Sequence, residues 1–325
     1  MPRTVIADAF GPPESYELRE LARRDLQPGE VRVEIAAAGI SFVDVLTAAG
    51  QYQVKPPLPF CPGSEAAGTV AELGEGVTGL ALGDRVVCSN WGGLFAEEAV
   101  LPARALKPVP QGLSFAEAAV FPVSTMTAWY ALADRGRVKS GETVLVLGAG
   151  GATGYAAVQI AKHFGARVIA SASSAEKRAL ALAGGADAVV EARADDWREQ
   201  VRAANHGKPV DVVFDPVGGE ATEPAFRSLG WGGRHLIVGF PGGIAALRTN
   251  LPLLKGASLI GVDLRQFGVN EPARSEALRQ EIFALADTGL LRPAIARTWP
   301  LERFAEAMAD AASGKSAGRT VLTMR

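Results

Sequence analysis

The chain has 325 residues, 48% hydrophobic and 21% charged, a balance normal for a folded protein of one large or two ordinary domains. Its 33 basic and 35 acidic residues leave a formal net charge of -2, so there is no basic excess for broad contact with a nucleic-acid backbone. Cys61 and Cys88 are too few for a disulfide framework or a four-cysteine zinc site, and are expected to be two buried thiols in a reducing compartment. Asp8 and Glu14 arrive before any long apolar run, so no signal peptide is visible. No stretch is apolar for long enough to span a membrane, and a cytoplasmic enzyme is expected.

In chain order, residues 31–35 alternate with period two and predict a half-buried strand. Residues 68–74 and 84–88 predict two more. Short strands cut by Gly and Pro describe a compact β-rich unit. Near Ser114 the pattern changes, and residues 115–119 and 127–132 read as helical. Strand and helix then alternate. Strands are predicted at 143–147, 167–170, 188–190, 210–214, 235–238 and 258–262, and helices at 153–164, 175–183 and 195–204. The run 143–147 is almost wholly apolar and ends at Gly148, as a strand buried on both faces does. Six strands in βα alternation predict a doubly wound parallel sheet. In the tail, residues 275–287 and 301–312 read as amphipathic helices and 320–323 as a closing strand. The tail has no second sheet of its own, so it is expected to fold back onto the N-terminal unit.

The strongest local motif is Gly148-Ala149-Gly150-Gly151-Ala152-Thr153-Gly154, between an apolar strand and a helix. A dinucleotide-binding turn requires that context, because small residues let backbone amides approach a pyrophosphate and the helix N-terminus faces the anion. Ala149 stands where the first Gly of the common fingerprint falls. Cofactor choice is decided after the next strand, where an NAD site usually carries an acid for the ribose hydroxyl. Here the strand exits through Ser171-Ala172-Ser173-Ser174, with Lys177 and Arg178 a turn later. Hydroxyls and cations suit a 2′-phosphate, so NADPH is favoured over NADH. Ser173, with Glu176 three residues on, also reads as a capping box.

Catalytic zinc needs Cys, His and acid ligands around an open position. The three histidines, His163, His206 and His235, all lie in the alternating stretch near element ends, where surface or capping roles are expected. Neither cysteine has a His close in sequence, and no metal is expected.

Several segments together resemble the zinc-free quinone oxidoreductase (zeta-crystallin-like) branch of the medium-chain dehydrogenase/reductases. They are Gly39-Ile40-Ser41-Phe42-Val43-Asp44, Pro62-Gly63-Ser64-Glu65, Gly83-Asp84-Arg85-Val86, the glycine turn, Asp215-Pro216-Val217-Gly218-Gly219, Gly232-Gly233-Arg234 and Leu253-Leu254-Lys255-Gly256. The matches run in order along essentially the whole chain. The resemblance implies a GroES-like catalytic domain built from residues 1–122 and 264–325, a Rossmann domain at 123–263, and NADPH in the cleft between them. It implies that Ser41 and Ser64 stand where zinc-dependent relatives carry Cys and His. It also implies cofactor contacts at Phe42, Leu46, Thr127, Gly150, Gly151, Ala152, Thr153, Ser173, Lys177, Gly239, Phe240, Pro241, Val262, Leu264 and Arg319.

The chain departs from that family at Leu46, where relatives commonly carry Tyr, and at Ala48 and Ala192, while Tyr52 is retained. Tyr52, Ser41 and Thr127 are the candidate catalytic helpers, and Asp44 is read as a buried turn-former. The activity expected is NADPH-dependent hydride transfer to quinones or activated C=C and carbonyl compounds. An enoyl-thioester reductase and a non-catalytic NADPH-binding protein are the alternatives. The sixth strand of the parallel sheet would leave an edge exposed, so a homodimer through that edge is expected.

Overall fold

The computed structural model describes residues 1–324. The chain forms two compact units, one from Met1–Pro122 with the segment from Arg292 onward, the other from Val123–Leu291. No helix among the described residues is long and apolar enough to cross a membrane.

The first unit is built on the strand Glu30–Ile40, whose alternating Val31, Val33 and Ile35 side chains are buried. That strand pairs antiparallel with Glu65–Leu73, Glu98–Pro102 and Arg319–Thr323, so the two ends of the chain meet on it. Irregularities in register between Arg32 and Val33 and between Ile35 and Ala37 let one long strand serve several neighbours. Ile295–Pro300 extends the sheet beyond Arg319–Thr323, and Arg85–Ser89 and Leu106–Pro108 extend it on the other side. A separate ribbon pairs Arg3–Ile6 with Glu17–Glu20. The expected helix at 301–312 and closing strand at 320–323 thus return to the N-terminal unit, whereas the expected helix at 275–287 does not. The ribbon was not legible because the second of its strands, Glu-Leu-Arg-Glu, has no apolar face to betray it.

Gly68 shows how tightly the two central strands approach. A β-carbon there would stand 2.0 Å from the Glu34 carbonyl oxygen. Neither backbone can retreat without breaking the ladder.

The second unit is a six-stranded parallel sheet. Its spatial order is Ala188–Glu191, Arg167–Ala172, Thr143–Val146, Val210–Asp215, Leu229–Ile237, Ser258–Gly261. The chain starts in the middle, winds to one side and then crosses to the other, the doubly wound arrangement expected. Its central strand Thr143–Val146 is buried throughout, as the Val-Leu-Val run requires. Ser258–Gly261 is the last strand, and most of it is exposed.

The boundary between the units falls later than the expected 263/264. Helices Leu264–Asn270 and Pro272–Asp287 stay with the parallel sheet. Phe267 stacks on Tyr130 at 4.1 Å between centroids, Arg274 pairs with Asp134 at 2.8 Å, and Arg135 Nε donates to the Gly261 carbonyl. These contacts hold the segment to the helix Pro122–Trp129 and the π-helical turn Tyr130–Arg135 that continues it.

Replacing Gly68 with Ala is expected to destabilise the protein by roughly 1–3 kcal/mol in urea unfolding. Gly261→Ala, where an added β-carbon meets nothing within 4 Å, is expected to stay within about 0.5 kcal/mol of the parent. Equal stability of the two variants would contradict the close approach at Gly68.

Candidate functional site

In the second unit, three loops gather at the carboxyl ends of the strands. The first follows Thr143–Val146. Gly148 takes φ +58°, and Gly151 N–H bonds back to its carbonyl at 2.9 Å. Ala149 N–H bonds to the Ser171 carbonyl at 3.1 Å, which ties the loop to the neighbouring strand. Helix Ala152–His163 begins at once, with Gly151 as its N-cap and no side-chain cap. The N–H groups of such a first turn have no acceptor inside the helix.

The glycines are needed for space. A β-carbon on Gly154 would lie 2.3 Å from the Gly148 carbonyl oxygen, and one on Gly150 would lie 2.4 Å from Lys177 Cβ. Lys177 therefore lies directly over the turn. Burial lowers its pKa, and the positive charge of Arg193 lowers it further while Glu176 opposes the shift. Ser173 is exposed and does not cap helix Ala175–Ala183. The cap is Ser174, whose hydroxyl accepts from Lys177 N–H at 3.2 Å. The expected capping box at Ser173 does not form; a simple cap falls one residue later, at Ser174, because the strand runs on to Ala172. Arg178 is held by Glu191 and by the Ala172 carbonyl, so Lys177 is the cation that faces the glycine turn.

The second loop follows Val210–Asp215. Asp215 is buried, and its Oδ1 accepts from Val217 N–H at 2.9 Å and Gly218 N–H at 2.8 Å. Its Oδ2 accepts from Thr222 Oγ1 at 2.8 Å and stands 3.0 Å from His235 Nε2. Burial pushes this carboxyl upward, but the hydrogen bonds from His235, Gly218 and Thr222 outweigh it and hold the pKa below the usual aspartate range. His235 is fully buried, against the expectation of a surface or capping role. It stands inside the sheet because Asp215 on the neighbouring strand gives its ring a polar partner, and Phe226 stacks on its face.

The third loop, residues 239–243, hangs on the second. Gly242 N–H bonds to the Val217 carbonyl and Gly219 N–H to the Gly243 carbonyl. Val217 also reaches the first loop, since a β-carbon on Gly148 would meet its Cγ2 at 3.0 Å. Phe240 is 52% exposed on this platform, with Pro241 exposed beside it. Val262 is buried and Leu264 half-buried around Asp263, which caps the helix that follows. Thr127 Oγ1 donates to the Val123 carbonyl at 2.7 Å, so its proton is already committed and its oxygen is left as an acceptor.

The first unit holds a separate polar cluster. Ser41 caps helix Phe42–Ala48 in a reciprocal box with Asp44. Its hydroxyl donates to Asp44 Oδ2 at 2.6 Å, and its N–H does so at 2.8 Å. Ser64 also hydrogen-bonds this carboxyl, and Arg319 faces it electrostatically. Burial raises the Asp44 pKa despite these partners. Arg319 is buried and paired with the fully buried Glu65 at 3.1 Å. Asp44 is thus the turn-former expected, and Arg319 stands behind it. Phe42 is 44% exposed, and Leu46 and Tyr52 are half-buried. Burial raises the pKa of Cys61 and of Cys88 to about 12, so neither is a ready nucleophile. Among the described residues no three His, Cys, Asp or Glu side chains converge as a metal-ligand set.

Sequence reading missed the Asp215–His235 pair. A His shortly before a Gly-Phe-Pro-Gly loop carries no signal until the strands are placed side by side.

Residues 27–111 match the alcohol dehydrogenase GroES-like domain, and residues 152–281 match the zinc-binding dehydrogenase family. Over 316 residues the chain is 38% identical to quinone oxidoreductase-like protein 2 of Rattus norvegicus, covering 95% of this chain and 89% of that protein. The quinone oxidoreductase of Thermus thermophilus, whose structure is known also in complex with NADPH, superposes with a TM-score of 0.86 at 31% identity. That match covers 99% of this chain and 100% of the other. The CurK enoyl reductase superposes with a TM-score of 0.88 at 26% identity, covering 100% and 99%.

Asp215→Ala removes the acceptor of four donors, and is expected to lower stability at pH 7 by about 1–3 kcal/mol. Because the folded pKa lies below the ordinary value, the parent's advantage holds above about pH 4 and shrinks as pH falls through the folded pKa. Urea unfolding between pH 7 and pH 3 checks this. A gap that is constant across that range would contradict the assignment.

Proposed function

We propose that this chain, which belongs to the quinone oxidoreductase-like branch of the medium-chain dehydrogenase/reductase superfamily, is a metal-independent reductase that carries hydride from NADPH to a quinone or another conjugated carbonyl acceptor. The observation that carries the reading is the glycine turn lying under Lys177, with Ser173 and Ser174, and no carboxylate, between the end of its neighbouring strand and the next helix.

The residues present fit the cofactor. The first-turn amides of Ala152 and Thr153, with Gly150 and Gly151, would receive the pyrophosphate, because the helix starts at Gly151 with no side-chain cap to occupy them. Ser173 and Lys177 would take the 2′-phosphate. An anion there offsets the burial that depresses the Lys177 pKa. Gly239, Phe240 and Pro241, with Thr127, Val262 and Leu264, would border the nicotinamide. NADPH, when bound, supplies the hydride, and the protein's part is to hold donor and acceptor in register.

A quinone needs no strong acid, since its oxygens spread the charge it gains. Thr127 suits an orienting role, because its proton is engaged by Val123. Ser41 is likewise committed to Asp44. Tyr52, whose phenol is the more acidic of the candidate hydroxyls, is the side chain we assign to proton delivery when the acceptor is an enone. Arg319 supports this corner from behind through Asp44 and Glu65. The likeness to CurK enoyl reductase favours a second reading, reduction of an enoyl thioester.

Loss of reduced-nicotinamide absorbance with a naphthoquinone, a 2-alkenal and a crotonyl thioester separates these readings. The proposal expects NADPH to be consumed with the quinone. Turnover of the thioester alone would transfer the chain to the second reading, and turnover of none would overturn both. Lys177→Ala is expected to raise the KM for NADPH about tenfold while leaving that for NADH within about twofold. Equal effects on both cofactors would remove Lys177 from the 2′-phosphate site.

We also propose a homodimer. The edge strand Ser258–Gly261 is largely exposed, and Trp231, Leu253, Leu254 and Leu259 present 85%, 79%, 69% and 43% of their surfaces beside it. An uncovered apolar edge of this kind is suited to pairing with its own copy across a twofold axis. Light scattering is expected to give twice the chain mass of 33.8 kDa, and Trp231→Glu to give the single mass. A monomeric parent would contradict the assembly.

A further inference from the structure

We propose that Trp91, stacked on Tyr52, is the surface against which the acceptor lies, so that the enzyme selects flat, fused-ring quinones over open-chain enones and enoyl thioesters. This inference rests on the reductase reading above and deepens it.

Trp91 leaves 62% of its surface exposed. A single exposed aromatic is unremarkable by itself. This one is held in place. It sits in a loop pinned to the segment that carries Ser64. Asn90 N–H donates to the Ser64 carbonyl at 3.1 Å, and Gly93 N–H donates to the Cys61 carbonyl at 2.8 Å. Asn90 Nδ2 closes the loop on the Gly92 carbonyl at 3.0 Å. Gly92 takes φ +96° and lies so close to Cys61 that a β-carbon would stand 2.8 Å from its carbonyl oxygen. The indole is therefore carried on a tight and immobilised turn.

Its ring faces that of Tyr52 at 6.4 Å between centroids, with 28° between planes. Tyr52 is fastened from the other side. Its N–H and that of Gln51 both bond to the Leu46 carbonyl, at 3.2 and 2.8 Å, so it follows directly from the helix that Ser41 caps. One ring is anchored through Ser64 and the other through the Ser41 helix, and those two serines share the Asp44 carboxyl. The aromatic pair thus borders the polar corner of this unit assigned above to the acceptor. Val54 and Leu58, both more than 40% exposed, follow Tyr52 in the same segment.

An electron-rich indole face suits an electron-poor planar ring. An open-chain enal offers too little flat area to use it. The selectivity therefore comes from Trp91 and should be lost with it.

The test compares the parent, Trp91→Ala and Trp91→Phe at saturating NADPH, with 9,10-phenanthrenequinone and 2-hexenal as acceptors. In Trp91→Ala the ratio of kcat/KM for the quinone to that for the enal is expected to fall about tenfold, through KM for the quinone. Trp91→Phe is expected to restore most of it, which also excludes a misfolded variant. An unchanged ratio would overturn the proposal. A second readout needs no turnover: menadione is expected to quench tryptophan fluorescence saturably in the parent and in Trp231→Phe, but not in Trp91→Phe. Saturable quenching that survives in Trp91→Phe would also overturn it. If the parent reduces neither acceptor yet shows Trp91-dependent quenching, the stacking surface stands and the reductase reading falls.

Discussion

A buried carboxylate organises the end of the parallel sheet where the chemistry is assigned. Asp215 accepts four hydrogen bonds, two from the backbone of its own loop and two from side chains on other elements. A carboxylate inside a protein is tolerated only when its lone pairs are met in this way. The result is a loop of fixed shape, against which the glycine turn packs through Val217 and from which residues 239–243 hang. Three loops that would otherwise move separately become one surface. A dinucleotide would need that, because the proposed pyrophosphate and nicotinamide contacts lie on different loops.

The architecture was largely legible because the parallel sheet imposes a simple pattern. A strand buried on both faces is almost wholly apolar, as Val144-Leu145-Val146 is, and a helix follows it. The turn between them needs residues without side chains wherever backbone or Lys177 approaches closely, and so the glycines at 150 and 154 announce themselves. The edges of elements were less legible. Ser173 and Ser174 are interchangeable as caps in a sequence, and only the length of the preceding strand chooses Ser174. The domain boundary was misplaced for a similar reason. The helices after Asp263 are amphipathic enough to serve either unit, and the stacking of Phe267 on Tyr130 decides between them.

The glycine turn of the second unit was legible from spacing alone. Backbone-binding loops leave a signature, because close approach restricts residue type. The polar cluster of the first unit leaves no local spacing to read: Ser41, Asp44, Ser64 and Arg319 were singled out one by one, and that they form one cluster with Glu65 shows only when the last strand pairs with Glu30–Ile40. His235 was hidden for the same cause: its meaning depends on a partner that only strand pairing brings beside it. The retained Tyr52 was visible as a candidate, whereas the stacking that gives it a partner in Trp91 was not.

We propose that the turn under Lys177 receives a phosphorylated adenosine dinucleotide. The decisive measurement is calorimetric titration of the unmodified protein with NADPH and with NADH. One NADPH bound per chain, with a Kd at least about tenfold below that for NADH, is the result predicted for a charge-assisted contact to the extra phosphate. Binding of neither cofactor, or tighter binding of NADH, would contradict it.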